Sequence, residues 1–172
     1  AMDSAAMALA EIASISERRI YLLLQGLDGL PTVLVNDSGV NSGFMIPQYT
    51  AASLVSHNKV LCHPASVDSI PSCLGQEDHV SMGSISAIKL LEVLKNVEQV
   101  MAIEAFTSAQ ALDFRHPITA GKGVEAAHKE IRKHVSHKEA DDFFRQDIDA
   151  CIELLRSNSI LSSVESSIGA LQ

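Results

Sequence analysis

An all-α protein, an elongated antiparallel bundle around one long central helix, is what three features of the sequence predict. No Gly or Pro interrupts the residues from Ser84 to His116, and apolar residues recur there at steps of three and four. Aromatic residues make up only 4% of the 172 positions and Trp is absent, while hydrophobic residues reach 47%. The core must then come from Ala, Leu, Ile, Val and Met, which suits close-packed helices better than an aromatic-rich sandwich. The one short β-like run, Thr32-Val33-Leu34-Val35, has no second strand to pair with and is expected as extended loop. Residues 1–172 are long enough for one domain with a real core, and no internal repeat divides them.

The elements follow in order. Asp3 can cap a first helix from about Ser4 to Leu24, with an apolar stripe of Met7, Ala10, Ile15 and Leu22 that Ile20 and Leu24 widen. Glu17-Arg18-Arg19 interrupts that stripe, either as a solvated face or as ion pairs between packed helices. Gly26 and Gly29 end the helix, and Pro31, Asn36-Asp37, Gly39, Asn41 and Gly43 mark a loop. A second helix, capped by Asn41 or Ser42, runs to about Cys62 with Pro47 in its first turns and Met45, Ala51, Ala52 and Leu54 on a close-packing face. Tyr21 and Tyr49 sit among apolar neighbours and are expected in the core or an interface. The loop from His63 to Gly75 has a length that usually serves function.

The third helix is expected to begin between Glu77 and Ser81 and to persist to about Phe114, so residues 76–116 form the central rod and the turn before it. Its stripe is Ile85, Ile88, Leu91, Leu94, Val97, Met101, Ala105 and Leu112, widened by Leu90, Val93 and Val100. Pro117 and Gly121 separate a charged fourth helix, Val124 to about His137, with Val124, Ala127, Ile131 and Val135 facing inward. After a turn at Ala140–Phe144, Asp147 can cap a fifth helix carrying Ile148, Ile152, Leu154 and Leu155. Ile160, Leu161 and Val164 fit a last short helix.

The formal net charge of −8 argues against nucleic acid as a partner, because phosphate contacts need clustered Lys and Arg. Cys62, Cys73 and Cys151, an odd number at no metal-like spacing, fit reduced thiols in a cytoplasmic protein. No apolar run is long enough to span a membrane. Ala1 opens the chain in place of Met and a helical pattern follows at once, so a piece of a longer protein is expected. His134, His137 and Asp141 stand at i, i+3 and i+7, but Lys133 and Lys138 flank them, and a solvated polar face is expected there rather than a metal site. Cys62 and His63 are adjacent, which on a helix points them apart, and no third group orients them as nucleophile and base.

One stretch stands out chemically. Gln76-Glu77-Asp78-His79 places an amide, two carboxylates and an imidazole where a loop gives way to the long helix. By itself it reads as an acidic capping cluster at a helix N-terminus. Three runs change its meaning: Asn41-Ser42-Gly43-Phe44-Met45-Ile46, His63-Pro64-Ala65-Ser66-Val67-Asp68-Ser69-Ile70-Pro71, and Gln76-Glu77-Asp78-His79-Val80-Ser81-Met82-Gly83. With Ser16-Glu17-Arg18-Arg19, Ala102-Ile103-Glu104 and Asp147-Ile148, they make the sequence resemble the histidine ammonia-lyases and their aromatic amino acid lyase relatives from end to end.

The resemblance implies an all-helical homotetramer that eliminates ammonia without redox chemistry, using a methylidene-imidazolone formed from an internal Ala-Ser-Gly. That tripeptide is absent here, as are the family's N-terminal tyrosine loop and Tyr-Ser-x-Arg segment. The chain therefore resembles the C-terminal third of such an enzyme, expected to be inert alone and to need the rest of the lyase chain. By the same resemblance Glu77 is a substrate-binding and proton-relaying carboxylate and Gln76 supports it, while Asp78 and His79 are structural. Histidine, giving trans-urocanate, is the first expected substrate. Ser72-Cys73-Leu74-Gly75 resembles tyrosine lyase-like members, so tyrosine lyase or aminomutase is the second, and Glu77 argues against the phenylalanine branch, where that position tends to be Gln. A non-catalytic helical interaction module is the alternative of another class.

Overall fold

The computed structural model describes residues 1–171. It contains the α-helices α1 (Met2–Leu23), α2 (Met45–Leu61), α3 (Gly83–Asp113), α4 (Lys122–Arg132), α5 (Arg145–Arg156) and α6 (Ser159–Ile168), with no strand among the described residues. The 31 residues of α3 make a rod about 46 Å long. Helices α1, α2 and α5 pack against it, and α4 pairs with α6 beside its C-terminal end. The core gathers Val93, Val97, Val100, Ile103 and Phe106 of α3 against Ala6, Ala13 and Ile20 of α1, Val55 of α2 and Cys151 of α5. Phe44, Phe106 and Phe144 meet at its centre, with ring centroids 5.0, 5.7 and 6.0 Å apart.

The all-α rod stands as expected, but the faces of its helices do not. Met7, Ile15 and Leu22, expected inward, are exposed on α1, which instead buries Asp3, Ala6, Ala13, Ser16, Glu17 and Ile20. On α3 the row Val93, Val97 and Val100 is buried, whereas Ile85, Ile88, Leu91, Leu94 and Met101 are exposed. The physical reason is that α1 approaches α3 with small residues, and its buried polar groups find partners there. Ser16 and Arg19 both bond to Glu104 of α3. Glu17 accepts from Arg18 at 2.6 and 2.7 Å and from Gln48 of α2 at 2.7 Å. The charged trio is thus an inter-helix network, one of its two expected readings. Tyr21 and Tyr49, expected in the core or an interface, are exposed.

Boundaries shift for equally local reasons. Helix α2 starts at Met45 rather than being capped by Asn41 or Ser42; the Asn41 amide oxygen accepts the Asp141 N–H at 3.2 Å instead. Residues Thr32–Leu34 form a 3-10 turn rather than extended chain, which sinks Leu34 and Val35 into the core. Gly43 has φ +52°, and a β-carbon on it would lie 2.4 Å from the Val33 carbonyl, so only glycine fits this crossing. Its N–H donates to Asp141 at 2.7 Å. Asp147 lies inside the first turn of α5, where it is buried and pairs with Lys138 at 3.1 Å rather than capping.

Helix α4 ends at Arg132, short of His137, and the polar face expected beyond it is a partly buried charge cluster. Asp113, at the end of α3, accepts from His128 at 2.7 Å, Arg132 at 2.7 Å and His137 at 2.6 Å. Burial pushes its carboxyl up, but hydrogen bonds from His137, Arg132 and His128 outweigh that and hold it below the usual range. Beside it the buried Gln110 amide donates to Leu34 O at 3.1 Å and Lys138 O at 2.8 Å, tying three segments together.

Candidate active-site loop

The segment between α2 and α3 carries the residues singled out above. Residues Ala65–Val67 and Cys73–Gly75 each make a 3-10 turn. Cys73, Leu74 and Gly75 all have positive φ (51°, 59° and 88°), which folds the chain back sharply. The fold-back pairs Ser72 with Glu77 as an isolated antiparallel bridge: Ser72 N–H donates to Glu77 O at 3.0 Å, and Glu77 N–H to Ser72 O at 3.3 Å. The Ser72 hydroxyl then donates to the Glu77 carboxylate at 2.7 Å.

Glu77 is accordingly not in a helix N-terminus. Helix α3 begins six residues later, at Gly83, and no side chain caps it. The acidic-cap reading fails because the local turn competes successfully for these residues. Glu77 is exposed, with the Ser72 hydroxyl as the partner of its side chain among the described residues. Gln76 is exposed beside it and accepts a weak contact from Cys73 Sγ at 3.5 Å. Asp78 and His79 are exposed as well, and His79 lines a cleft of about 430 Å³ with Asp3, Ser66, Asp68, Met82 and Ser86. Around the turn stand exposed apolar side chains: Val67, Ile70 and the fully exposed Leu74. A carboxylate with spare acceptor capacity, on a tight turn rimmed by apolar groups, suits a site wall that a ligand or further protein covers.

The base of the loop is fixed. Lys89 of α3 donates to His63 O, Ser69 Oγ accepts the Val80 N–H at 2.8 Å, and Asp3 of α1 accepts the Ser66 N–H at 2.9 Å. Asp3 was expected to cap α1; it serves the loop instead. The sequence offered only the spacing Ser69–Val80 and a lone acidic residue at the chain start, too little to show either clamp.

The other groups weighed from sequence do not converge. His137 faces Asp113, Asp141 faces the Gly43 N–H, and His134 lies 4.0 Å from Glu130. Among the described residues no cluster of His, Cys, Asp and Glu has the arrangement of a metal site. A second cleft of about 430 Å³ lies between α2 and α5, lined by Ile46, Pro47, Phe143 and Ile148. Of its charged rim, Asp142 pairs with Lys138, Arg145 with Asp149, and Asp141 accepts the Gly43 N–H.

Residues 1–133 match the model of the aromatic amino acid lyase family, a span that includes the whole Glu77 loop. The chain belongs to that family. It is 50% identical over 173 aligned positions to the histidine ammonia-lyase of Natranaerobius thermophilus, an alignment covering 99% of this chain and 34% of that protein. The corresponding enzyme of Sorangium cellulosum is 53% identical, with the same coverage. Among solved structures, histidine ammonia-lyase from Trypanosoma cruzi superposes with a TM-score of 0.92 at 43% identity, over 97% of this chain and 33% of that one. Tyrosine aminomutase from Streptomyces globisporus gives 0.91 at 32% identity, over 96% and 32%. The chain thus spans about a third of the length of the curated relatives it matches.

Proposed function

We propose that these residues supply the C-terminal third of a histidine ammonia-lyase, which eliminates ammonia from L-histidine to give trans-urocanate, and that Glu77 is its substrate-facing carboxylate. The supporting observation is the Glu77 turn: a carboxylate held by one hydroxyl, exposed, on a tightly folded loop inside the stretch matched by the family. Identities near 50% to histidine ammonia-lyases, against 32% to a tyrosine aminomutase, favour histidine over tyrosine.

The methylidene-imidazolone, when present, supplies the electrophile that activates the amino group as a leaving group. This chain has no Ala-Ser-Gly to form it, so the electrophile and the β-proton base belong to the rest of the lyase chain. What this chain contributes is orientation. Glu77 can accept from the substrate's ammonium or imidazole N–H and pass a proton as ammonia departs. Gln76, beside it, can donate or accept to fix the substrate or Glu77. The Ser72 hydroxyl keeps the carboxylate in one rotamer, so little ordering cost falls on binding. The exposed row Ile85, Ile88, Leu91 and Leu94 on α3 supports burial against further helices of a cytoplasmic homo-oligomer, a tetramer in this reading.

Joining residues 1–172 to an upstream lyase segment that carries Ala-Ser-Gly, and supplying histidine and tyrosine separately, tests the proposal. Urocanate formation is expected, with tyrosine turned over far more slowly. A preference for tyrosine overturns the substrate, and no elimination from either overturns the function.

A further inference from the structure

We propose that Asp3 is a positioning residue for the elimination reaction, clamping the loop that carries Glu77 to the start of α3. The inference rests on the role given to Glu77 above. Asp3 of α1 turns its carboxylate to the loop between α2 and α3. Its Oδ2 accepts the Ser66 N–H at 2.9 Å, and Ser86 of α3 lines the same cleft as Asp3 and Ser66. Three segments distant in sequence therefore meet beside one buried carboxylate: α1, the Ala65–Val67 turn and the first turn of α3.

The need for such a clamp is visible in the loop itself. Every residue from Ile70 to His79 is exposed, and the side-chain hydrogen bonds within that stretch, Ser72 to Glu77 and Cys73 to Gln76, are internal to it. The turn fixes Glu77 relative to Ser72 but not relative to the body of the protein. That second relation is set at the base, where Asp3, Ser69 and Lys89 act. Asp3 is the one of these that joins α1, and a carboxylate suits the place because either oxygen accepts the Ser66 N–H, whereas an amide presents one acceptor and an NH2 that cannot. The Ser66 N–H above all, against a counteracting effect of burial, also holds the group ionised and lowers its pKa to about 2. A displacement of about 1 Å at a reacting group can cost on the order of 100-fold in rate, so a base clamp some distance from the chemistry carries kinetic weight.

The test uses the complete lyase chain with Asp3→Ala, Asp3→Asn, Glu77→Ala and the double variant Asp3→Ala/Glu77→Ala. Asp3→Ala is expected to lower kcat at least about 10-fold with a smaller effect on KM, and Asp3→Asn, which keeps one acceptor for the Ser66 N–H, to recover part of it. In the Glu77→Ala background the same Asp3→Ala change is expected to cost less than about 2-fold, because a residue that acts through Glu77 has nothing left to position. Amide exchange of residues 70–80 is expected to quicken in Asp3→Ala while the α3 core stays protected. Equal losses in both backgrounds, or unchanged exchange in the loop, overturn the clamp. Should Asp3→Ala fail to fold, Asp3→Asn carries the same comparison. Full activity of Glu77→Ala overturns the role of Glu77 instead, and the clamp then stands or falls on the exchange rates.

Discussion

Replacing Asp113 by Ala removes the centre of a cluster that joins the end of α3 to α4 and the segment after it. The wild-type carboxylate accepts from two imidazoles and a guanidinium at 2.6–2.7 Å. Hydrogen bonds to charged groups contribute roughly 1.5–3 kcal/mol each, and three would sum to several times that if fully buried. They are not fully buried: the side chains retain 16–28% of their exposure, so water recovers part of the loss. Arg132 also keeps Val135 O at 3.0 Å, and Gln110 Oε1 lies within reach. The expected destabilisation is about 2–4 kcal/mol at pH 7, with Asp113→Asn near the lower end because it keeps an acceptor.

Urea unfolding at constant m-value reads that loss directly. Its pH dependence supplies the sharper check. Asp113 is held below the ordinary carboxylate range in the folded chain, so the unfolded chain takes up its proton first as the pH falls. The stability from this cluster is therefore complete above about pH 4, the unfolded value, and disappears as pH falls through the lower folded value. The gap between wild type and Asp113→Asn should narrow below about pH 4. A gap under about 0.5 kcal/mol at pH 7, or one that stays constant through the acid range, would refute the account of the cluster.

The three thiols should separate by reactivity. Cys73 is exposed and should react first with a thiol reagent; burial raises the Cys62 thiol, and burial with the nearby Asp147 pushes Cys151 up to about 12, so Cys151 should react only on unfolding. Rapid labelling of Cys151 in the folded protein would contradict its place in the core. The exposed apolar row on α3 should drive self-association at high micromolar concentration, weakened by Ile88→Asp; a wild-type chain that sediments strictly as a monomer would count against it.

The rod, the helix count along it and the family were all legible in the sequence, because an interruption-free apolar pattern and long ordered motifs survive without knowledge of packing. Which face of each helix turns inward was not. Helices α1 and α3 carry apolar residues on more than one side, and periodicity alone cannot tell a face that packs within this chain from Ile85, Ile88, Leu91 and Leu94, which it leaves exposed. The buried face of α1 is small and polar, and becomes acceptable only once Glu104, Gln48 and Ser66 arrive from far along the sequence. The motif around Glu77 points to the loop, yet the acidic run looks like a helix cap, whereas it lies in a turn six residues before α3. Positive φ at Cys73 and Leu74 has no clear sequence mark, since neither is a residue that favours it. Asp3 and Asp113 escaped for the same reason as Glu104: their partners are tertiary.

The most direct measurement is the turnover of histidine to urocanate by the complete lyase chain bearing Glu77→Ala, set beside Glu77→Gln and the wild type. A carboxylate that orients the substrate and relays a proton predicts a fall in kcat/KM of roughly 10²–10⁴-fold for Ala, with only partial recovery in Gln, which keeps hydrogen bonding but cannot carry the proton. Wild-type kcat/KM in Glu77→Ala, with the electrophile formed and the protein folded, would contradict the account.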